Sequence, residues 1–251
     1  MLISSVSNER VKLAASLHLK KYRDETGLFL VEGQEMIEMA RSQGWKVETL
    51  FSISFPESPA KAGVQEVGAT LEVLQKISKK DNPQDHIAIF KKKAPHPFPL
   101  AFEHALPALE EIRDPGNLGT IMRTCHALNL KHILLIGNCC DPYAPETIRA
   151  SMGSFAHVEI VTTTQDELIA WKKNNPSANW IGTDVVKAAD YREADYNGAV
   201  LMLGNEQKGL SETLKNACTA NVRLPMPGGT ESLNVAMAAT LLLYEARRST
   251  I

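Results

Sequence analysis

Three short segments of the chain combine glycine, proline and small polar residues in patterns that can build a ligand site. They are IRDPGNLGTIMRT at 112–124, VLMLGNEQKGL at 200–210 and RLPMPGGTESLNV at 223–235. Each contains or follows an apolar run that predicts a β-strand, and ligands of open α/β sheets bind at loops that follow strands. Each loop alone could be a plain connection, but the three together indicate one site.

The first segment predicts the start of a helix that carries an exposed arginine. Pro115 and Gly116 favour a turn, and Asn117 is the expected helix cap, whose first free N–H groups suit an anion. Gly119 costs about 1 kcal/mol relative to alanine inside a helix, which indicates a close approach to the backbone beside Arg123. A surface arginine after an ordinary helix start is the alternative interpretation.

The composition and the absence of certain motifs argue against several classes of function. The 251 residues include 27 basic and 29 acidic residues, so no overall positive charge indicates a nucleic-acid partner, and any such partner needs a local patch. The patterns GxxxxGK[ST] and strand-linked GxGxxG are absent, which disfavours ATP hydrolysis and ordinary NAD binding. The apolar segments are shorter than the roughly 20 residues that span a bilayer, and the start MLISSVSNER does not resemble an export signal. We expect a cytoplasmic protein without a membrane segment.

The cysteines give no sign of a metal site or a disulfide framework. Cys125, Cys139, Cys140 and Cys218 show no CxxC spacing, and Cys139 and Cys140 are too close in sequence to bridge easily. His126 beside Cys125 lacks a second pair at zinc-finger spacing. The sequence therefore predicts a reduced protein with no metal.

A proline-rich stretch divides the chain. Residues 94–99, APHPFP, favour an extended connection because each proline ring fixes φ and removes a donor. We predict a smaller α/β domain over 1–95, a linker over 96–105 and a second domain over 106–251. In the first domain the patterns predict a helix over 8–22 capped by Ser7 or Asn8, a strand over 29–33, a helix over 34–42, and strands over 45–53 and 86–92.

The second domain alternates strand and helix patterns, which predicts an α/β fold with a largely parallel sheet covered on both faces. Predicted strands lie within 106–112, 131–137, 157–163, 179–185 and 198–204. Predicted helices cover 118–129, 145–152, 165–174, 210–217 and 232–248.

A basic stretch near the N-terminus is a local patch that could bind phosphates. Its members are Arg10, Lys12, Lys20, Lys21 and Arg23. A solvated helix face is the alternative reading of the same charges.

The segments DPGNLGTIMRT, LGNEQKGL and LPMPGGTESLNVAMAA, in this order, resemble the three motifs of the SpoU (TrmH) family of RNA ribose methyltransferases. The resemblance covers about 106–251, and SNERVKLAASLHLKKYRDETGLFLVEG resembles the substrate-binding domain that precedes it in many members. It implies a SPOUT-type catalytic domain with a trefoil knot, an exception to the rule that chains do not thread loops. It also implies a homodimer that uses S-adenosylmethionine to methylate a ribose 2′-hydroxyl of ribosomal or transfer RNA.

The resemblance also implies roles for residues at the motif positions. Those implied for catalysis are Asn117, Arg123, Glu206, Ser232 and Asn234. Those implied for the cofactor are Thr183, Gly204, Asn205, Leu224, Met226 and Leu233. His126 departs from the family pattern, where a small or acidic residue is frequent, but it lies outside the motif core.

The residue types agree with this chemistry. A methyl group on a sulfonium is already activated, so the protein must position the 2′-oxygen and help to remove its proton, without a metal. Guanidinium groups stay protonated near neutral pH, so we expect Arg123 to clamp phosphate and stabilise the developing alkoxide rather than to act as base. Glu206 is then expected to orient Arg123, while Ser232 and Asn234 position substrate or the neighbouring loops.

Two other functions remain open from the sequence. A non-catalytic RNA-binding or ribosome-assembly protein could use the same fold, although the complete polar set argues against it. A base methyltransferase of the wider SPOUT group is the nearer alternative. Nothing in the residues identifies the RNA or the nucleotide.

Overall fold

The computed structural model describes residues 2–53, 65–94, 96–99, 101–185 and 188–250. The chain forms two compact units. The first consists of Met1–Ala94 with Asp141–His157, and the second of Pro95–Cys140 with Val158–Ile251. No helix within the described ranges combines the length and apolar character needed to cross a bilayer.

The described strands and helices alternate along most of the chain. The strands are β1 (Leu2–Ile3), β2 (Leu28–Glu32), β3 (Val47–Ser52), β4 (Gln65–Ala69), β5 (His86–Lys91), β6 (Leu106–Glu110), β7 (His132–Ile136), β8 (Glu159–Thr163), β9 (Trp180–Thr183), β10 (Ala189–Asp190), β11 (Val200–Leu203) and β12 (Ala220–Arg223). The helices are α1 (Glu9–Ser16), α2 (Lys20–Thr26), α3 (Gln34–Ser42), α4 (Leu71–Ser78), α5 (Pro115–Ala127), α6 (Pro145–Ala150), α7 (Gln165–Asn174), α8 (Glu212–Ala217) and α9 (Val235–Arg247).

The first unit contains a mixed sheet of five strands in the order β1-β4-β3-β5-β2. Strands β1, β4 and β3 are parallel, whereas β3, β5 and β2 pair in antiparallel fashion. One core cluster of this unit joins α1, through Val11 and Ala14, to Val73 and Ile77 of α4 and to Phe51 of β3. Since these apolar positions are three to four residues apart on each helix, each helix buries one face.

The single helix predicted over 8–22 is two helices, because the chain turns between Leu17 and Leu19. The carbonyl oxygen of Leu17 accepts a hydrogen bond from Nη1 of Arg23 at 2.7 Å, which takes the place of a bond to the next helical turn. Of the two predicted caps, Asn8 is the one that caps α1. Its side chain accepts a 2.9 Å hydrogen bond from the backbone N–H of Arg10. At the end of α2, Gly27 adopts a φ of 67°, a conformation that side chains disfavour.

Arg23 is not available to RNA, which corrects its assignment to the basic patch. Its side chain is 3% exposed, and Nε and Nη2 lie 2.8 and 2.7 Å from Oδ2 of Asp141. A guanidinium can be buried only when its charge is balanced and its donors have acceptors. Here Asp141 balances the charge, and the carbonyl oxygen of Leu17 is a further acceptor. The sequence pattern grouped Arg23 with its exposed neighbours because it cannot show which side of a short helix faces the core.

Residues 141–157 pack in the first unit, whereas the sequence-based division assigned them to the second domain. Tyr143 and Phe155 lie on Phe29, with ring centroids at 4.9 and 5.8 Å. Nε1 of Trp45 donates a hydrogen bond of 3.1 Å to the carbonyl oxygen of Ala156. These aromatic contacts, together with the ion pair of Asp141, hold the segment on the first sheet.

The second unit is built on a seven-stranded sheet in the order β10-β12-β9-β11-β6-β7-β8, and every pairing in it is parallel. Its central strands are continuous apolar runs such as VLML in β11, as expected for a sheet covered on both faces. The predicted parallel α/β fold is therefore confirmed, while the knot stays a prediction. Since the strands are parallel, the loops after β6, β9, β11 and β12 lie at one edge of the sheet.

Candidate functional site

A cavity of about 320 Å³ lies in the second unit at the edge formed by the ends of β9, β11 and β12. Val235, Ala238 and Leu242 of α9 contribute one wall. All six residues that the resemblance assigns to the cofactor line this cavity, namely Thr183, Gly204, Asn205, Leu224, Met226 and Leu233. Glu206 and Ser232 line it as well. The loops predicted to build one site therefore do meet, although the role of each residue stays a prediction.

Gly204 is required by the loop that it begins. A Cβ atom at this position would collide with the backbone of Gly209 and Leu210, because the loop folds back on itself. The N–H of Gly209 donates to the carbonyl oxygen of Asn205 at 2.9 Å, which closes the turn. A larger residue at Gly204 would therefore disrupt this loop rather than only fill the cavity.

Glu206 is the centre of a polar network that joins the loops. Its Oε1 accepts hydrogen bonds from Nδ2 of Asn117 at 3.1 Å and from the N–H of Asp114 at 3.3 Å. Its Oε2 accepts from the N–H of Arg113 and from Nδ2 of Asn205, both at 3.4 Å. One carboxylate thus ties the loop after β11 to the loop that begins α5.

These donors also set the charge of Glu206. Partial burial alone would raise the pKa of this carboxyl, but the hydrogen bonds from Asn117 and from backbone N–H groups outweigh it and lower the pKa below its usual value. Glu206 is therefore ionised near neutral pH, with both oxygens occupied by donors. A carboxylate in this state holds neighbouring groups in place and is a weak proton acceptor.

Asn234 connects the third loop to the same network. Its Nδ2 donates to Oδ1 of Asn117 at 2.9 Å, while its Oδ1 accepts from the N–H groups of Ala236 at 2.9 Å and Met237 at 3.3 Å. Asn234 is thus the N-cap of α9 and a partner of α5 at once. The chain Asn234–Asn117–Glu206 brings together one residue from each of the three sequence segments.

Asp114, and not Asn117, caps α5. The helix begins at Pro115, and Oδ1 of Asp114 accepts from the N–H of Asn117 at 2.9 Å. Proline suits this first position because its missing N–H would have had no partner there. With its backbone capped in this way, Asn117 is free to use its side-chain amide between Glu206 and Asn234.

Arg123 lies apart from the cavity and the network. It is exposed on α5 and does not line the cavity. Among the residues that the structure describes, none accepts a hydrogen bond from its guanidinium, and the expected contact with Glu206 is absent. The hydroxyl of Ser232 also makes no hydrogen bond within the described part of the chain, although the residue lines the cavity. Both groups remain available to a ligand.

Five charged residues of the cavity were not anticipated, namely Asp184, Lys208, Lys215, Arg223 and Glu231. Asp184 and Lys215 line it, with a carboxylate-to-ammonium distance of 3.4 Å. Asp184 directly follows β9, which ends at Thr183, whereas the strand predicted within 179–185 included Asp184 and so did not place it in a loop. Lys215 lies on α8, and no local pattern separates it from an ordinary surface lysine.

Comparison with known families gives two matches, one in the N-terminal part of the chain and one in the rest. Residues 106–244 match the model of the SpoU rRNA Methylase family. Residues 8–88 match the MRM3-like substrate binding domain. The first match covers more than half of the chain and contains the whole Asn234–Asn117–Glu206 network.

Individual relatives match over nearly their full length. The chain is 29% identical over 248 residues to the 23S rRNA (guanosine(2553)-2′-O)-methyltransferase RlmP of Bacillus subtilis, covering 98% of each protein. It is 35% identical to an AdoMet-bound rRNA methyltransferase from Sinorhizobium meliloti, with a TM-score of 0.90 over 100% of this chain and 98% of that one. The SpoU methyltransferase AviRb from Streptomyces viridochromogenes, in complex with AdoMet, is 27% identical with a TM-score of 0.85 over 96% and 98%. The chain therefore belongs to the SpoU rRNA methylase family.

Proposed function

We propose that this chain transfers a methyl group from S-adenosylmethionine to a ribose 2′-hydroxyl of ribosomal or transfer RNA. The observation that carries the proposal is the Asn234–Asn117–Glu206 network, which joins the three family segments beside a cavity at the ends of parallel strands. The family match over 106–244 and the relatives named 2′-O-methyltransferases support the same reaction.

The residues of the cavity fit S-adenosylmethionine. A volume of about 320 Å³ lies within the range of small-molecule sites. Leu224, Met226 and Leu233 give an apolar wall that suits an adenine ring. The lining also carries charged residues of both signs, which can pair with the ammonium and carboxylate groups of the methionine part. This combination of apolar and charged groups suits a nucleoside that carries an amino-acid tail.

The network prepares the site, and Arg123 acts on RNA. S-adenosylmethionine, when bound, supplies a methyl group that its sulfonium already activates. Glu206 is a positioning residue, because its oxygens hold Asn117 and the loop before α5 instead of pointing a free lone pair at substrate. Arg123 keeps its donors for a phosphate and for the oxygen that gains charge as the methyl is transferred.

The expected homodimer has a candidate surface on α9. Met237, Leu241 and Tyr244 are exposed by 63%, 48% and 45%, and their spacing of four and three residues places them in one apolar stripe. Helix α5, which carries Arg123, packs beside α9, and the hydroxyls of Thr124 and Thr240 lie 2.8 Å apart. A second copy that covers the stripe would bring Arg123 close to the contact between the two chains.

The first unit is proposed to recruit RNA, with a smaller set of basic residues than the sequence suggested. Arg10, Lys12, Lys20 and Lys21 remain after the removal of Arg23. Three of these four have acidic partners, with Lys12–Glu9 at 2.8 Å, Lys20–Asp24 at 2.5 Å and Lys21–Glu25 at 3.8 Å. Exposed pairs of this kind are weak, so a phosphate can compete for each lysine.

Filling the cavity should strongly weaken cofactor binding without unfolding the protein. Ala238 is a half-exposed helix residue in the cavity wall, so Ala238→Phe places an aromatic ring where the cofactor is proposed to lie. We expect calorimetry to show affinity for S-adenosylmethionine reduced by about 100-fold or more, since overlap with a ring costs several kcal/mol. Ala170→Phe, on an exposed face of α7 outside the cavity, is the matched control and should bind normally. Equal affinities for both variants would place the cofactor elsewhere.

The reaction itself is tested by mapping 2′-O-methyl groups in total RNA from cells with and without the gene. We expect the loss of a defined site in ribosomal or transfer RNA, restored by the wild-type chain and not by Arg123→Ala. An unchanged map would refute the proposed activity.

A further inference from the structure

Three possible metal ligands meet at the edge of the second sheet. His132 and Glu159 are the first residues of β7 and β8 and lie directly opposite each other in the parallel pairing. His96, from the stretch between the two predicted domains, pairs with Val161 of β8 through an isolated bridge. One nitrogen of each histidine and a carboxylate oxygen of Glu159 all lie within 4.8 Å of one another.

We propose that His96, His132 and Glu159 bind a divalent transition-metal ion, with zinc as the best fit. Two imidazole nitrogens and one carboxylate oxygen form a donor set that zinc prefers, with a fourth position left for water. Nothing in the local sequence spacing indicated the site, because the ligands come from three distant segments. The proposal revises the expectation of a protein without metal.

The distances require only small side-chain movements. Nε2 of His132 lies 3.9 Å from Oε2 of Glu159, and the two histidine rings are 5.5 Å apart between centroids. Metal–ligand bonds of about 2.1 Å in a tetrahedron place ligand atoms about 3.4 Å apart. The side chain of Glu159 is 45% exposed and His96 is exposed, so both can rotate towards His132.

The hydrogen bond of His96 suits a metal ligand. Nδ1 of His96 lies 3.1 Å from the carbonyl oxygen of Pro97, which can only accept a hydrogen bond. Nδ1 therefore carries the proton in this arrangement and Nε2 is left with a free lone pair, the arrangement typical of histidine ligands.

The site is separate from the proposed methyl-transfer site. It lies at the amino ends of β7 and β8, while Glu206 and the cavity lie beyond the carboxyl ends of the parallel strands. A five-residue strand separates the two edges by about 15 Å. The ion would instead fix His96 against the edge strand β8 and stabilise the unit by mass action.

The proposal is tested by calorimetry. The full chain is first freed of metal with a chelator and is then titrated with zinc chloride. We expect one zinc ion per chain, with affinity reduced by about 100-fold or more in His132→Ala and in His96→Ala. Glu159→Gln keeps the shape and removes the charged ligand, so it should weaken zinc by about 10-fold. The control is His104→Ala, because His104 is a histidine of the second unit that lies outside the cluster. This variant should bind zinc as the wild type does.

A second readout separates the cluster from other zinc ligands. Zinc should raise the thermal unfolding temperature of the wild type and of His104→Ala, and it should not do so in His96→Ala or His132→Ala. Zinc binding that survives both of these substitutions, or the absence of binding by the wild type, would overturn the proposal.

Discussion

Arg123→Ala should lower the rate of RNA methylation by about 10²-fold or more while leaving the affinity for S-adenosylmethionine unchanged. Arg123 lies outside the proposed cofactor cavity, and its guanidinium has no acceptor among the described residues, which agrees with the proposal that its donors bind RNA. Arg123→Lys keeps the charge and loses the planar pair of donors, so it should remain strongly impaired. Single-turnover rates with cofactor and RNA both saturating give the measurement.

The matched control for this experiment is Lys131→Ala, because Lys131 is also an exposed basic residue of the second unit and lies outside the network. Its rate should stay within about two-fold of the wild type, as expected for a surface position without a role. A near-normal rate in Arg123→Ala would remove this residue from the mechanism. The stabilisation of the developing charge would then have to come from Asn234 or Ser232.

Asp141→Ala should lower the free energy of unfolding by about 3–5 kcal/mol, the usual cost of leaving a buried charge without its partner. Both side chains of the Arg23–Asp141 pair are almost fully buried, at 3% and 8% exposed. Asp141 also accepts a 2.9 Å bond from the N–H of Tyr143, so its loss frees the turn that leads into α6. Denaturant unfolding monitored by tryptophan fluorescence measures the change.

An exposed pair on the same helix is the control. Lys20→Ala removes the ion pair with Asp24 and should change the free energy of unfolding by less than about 1 kcal/mol. An exposed ion pair is hardly more stable than the two charges hydrated separately. The double variant Arg23→Met with Asp141→Leu removes both charges and should recover part of the loss. If Asp141→Ala costs no more than Lys20→Ala, the buried pair does not hold residues 141–157 to the first unit.

Most helices and strands could be predicted from local sequence patterns. Helices α3 and α7 occupy 34–42 and 165–174 as predicted, because side-chain periodicity and flanking signals agree there. The break between α1 and α2 did not follow, because it depends on the contact between Arg23 and Leu17 within a continuous helical pattern. The placement of 141–157 depends on aromatic contacts with Phe29 and Trp45, more than 90 residues away, which local patterns cannot show.

The same limit applies to the site. The position of Asn205 and Glu206 after a predicted strand was sufficient to place them at the ligand edge. The cap by Asp114 and the separation of Arg123 from Glu206 depend on how the loops pack together. The His96, His132 and Glu159 cluster likewise exists only after the strands have paired.

Alkaline hydrolysis of RNA labelled by the purified chain tests the central claim most directly. The chain is incubated with methyl-labelled S-adenosylmethionine and with total RNA from cells that lack the gene, and the RNA is then hydrolysed in alkali. Alkaline cleavage needs a free 2′-hydroxyl, so a methylated ribose leaves a resistant dinucleotide. We expect the label in dinucleotides with the wild type and almost none with Arg123→Ala. Label in mononucleotides, which marks base methylation, or no transfer at all would contradict the account.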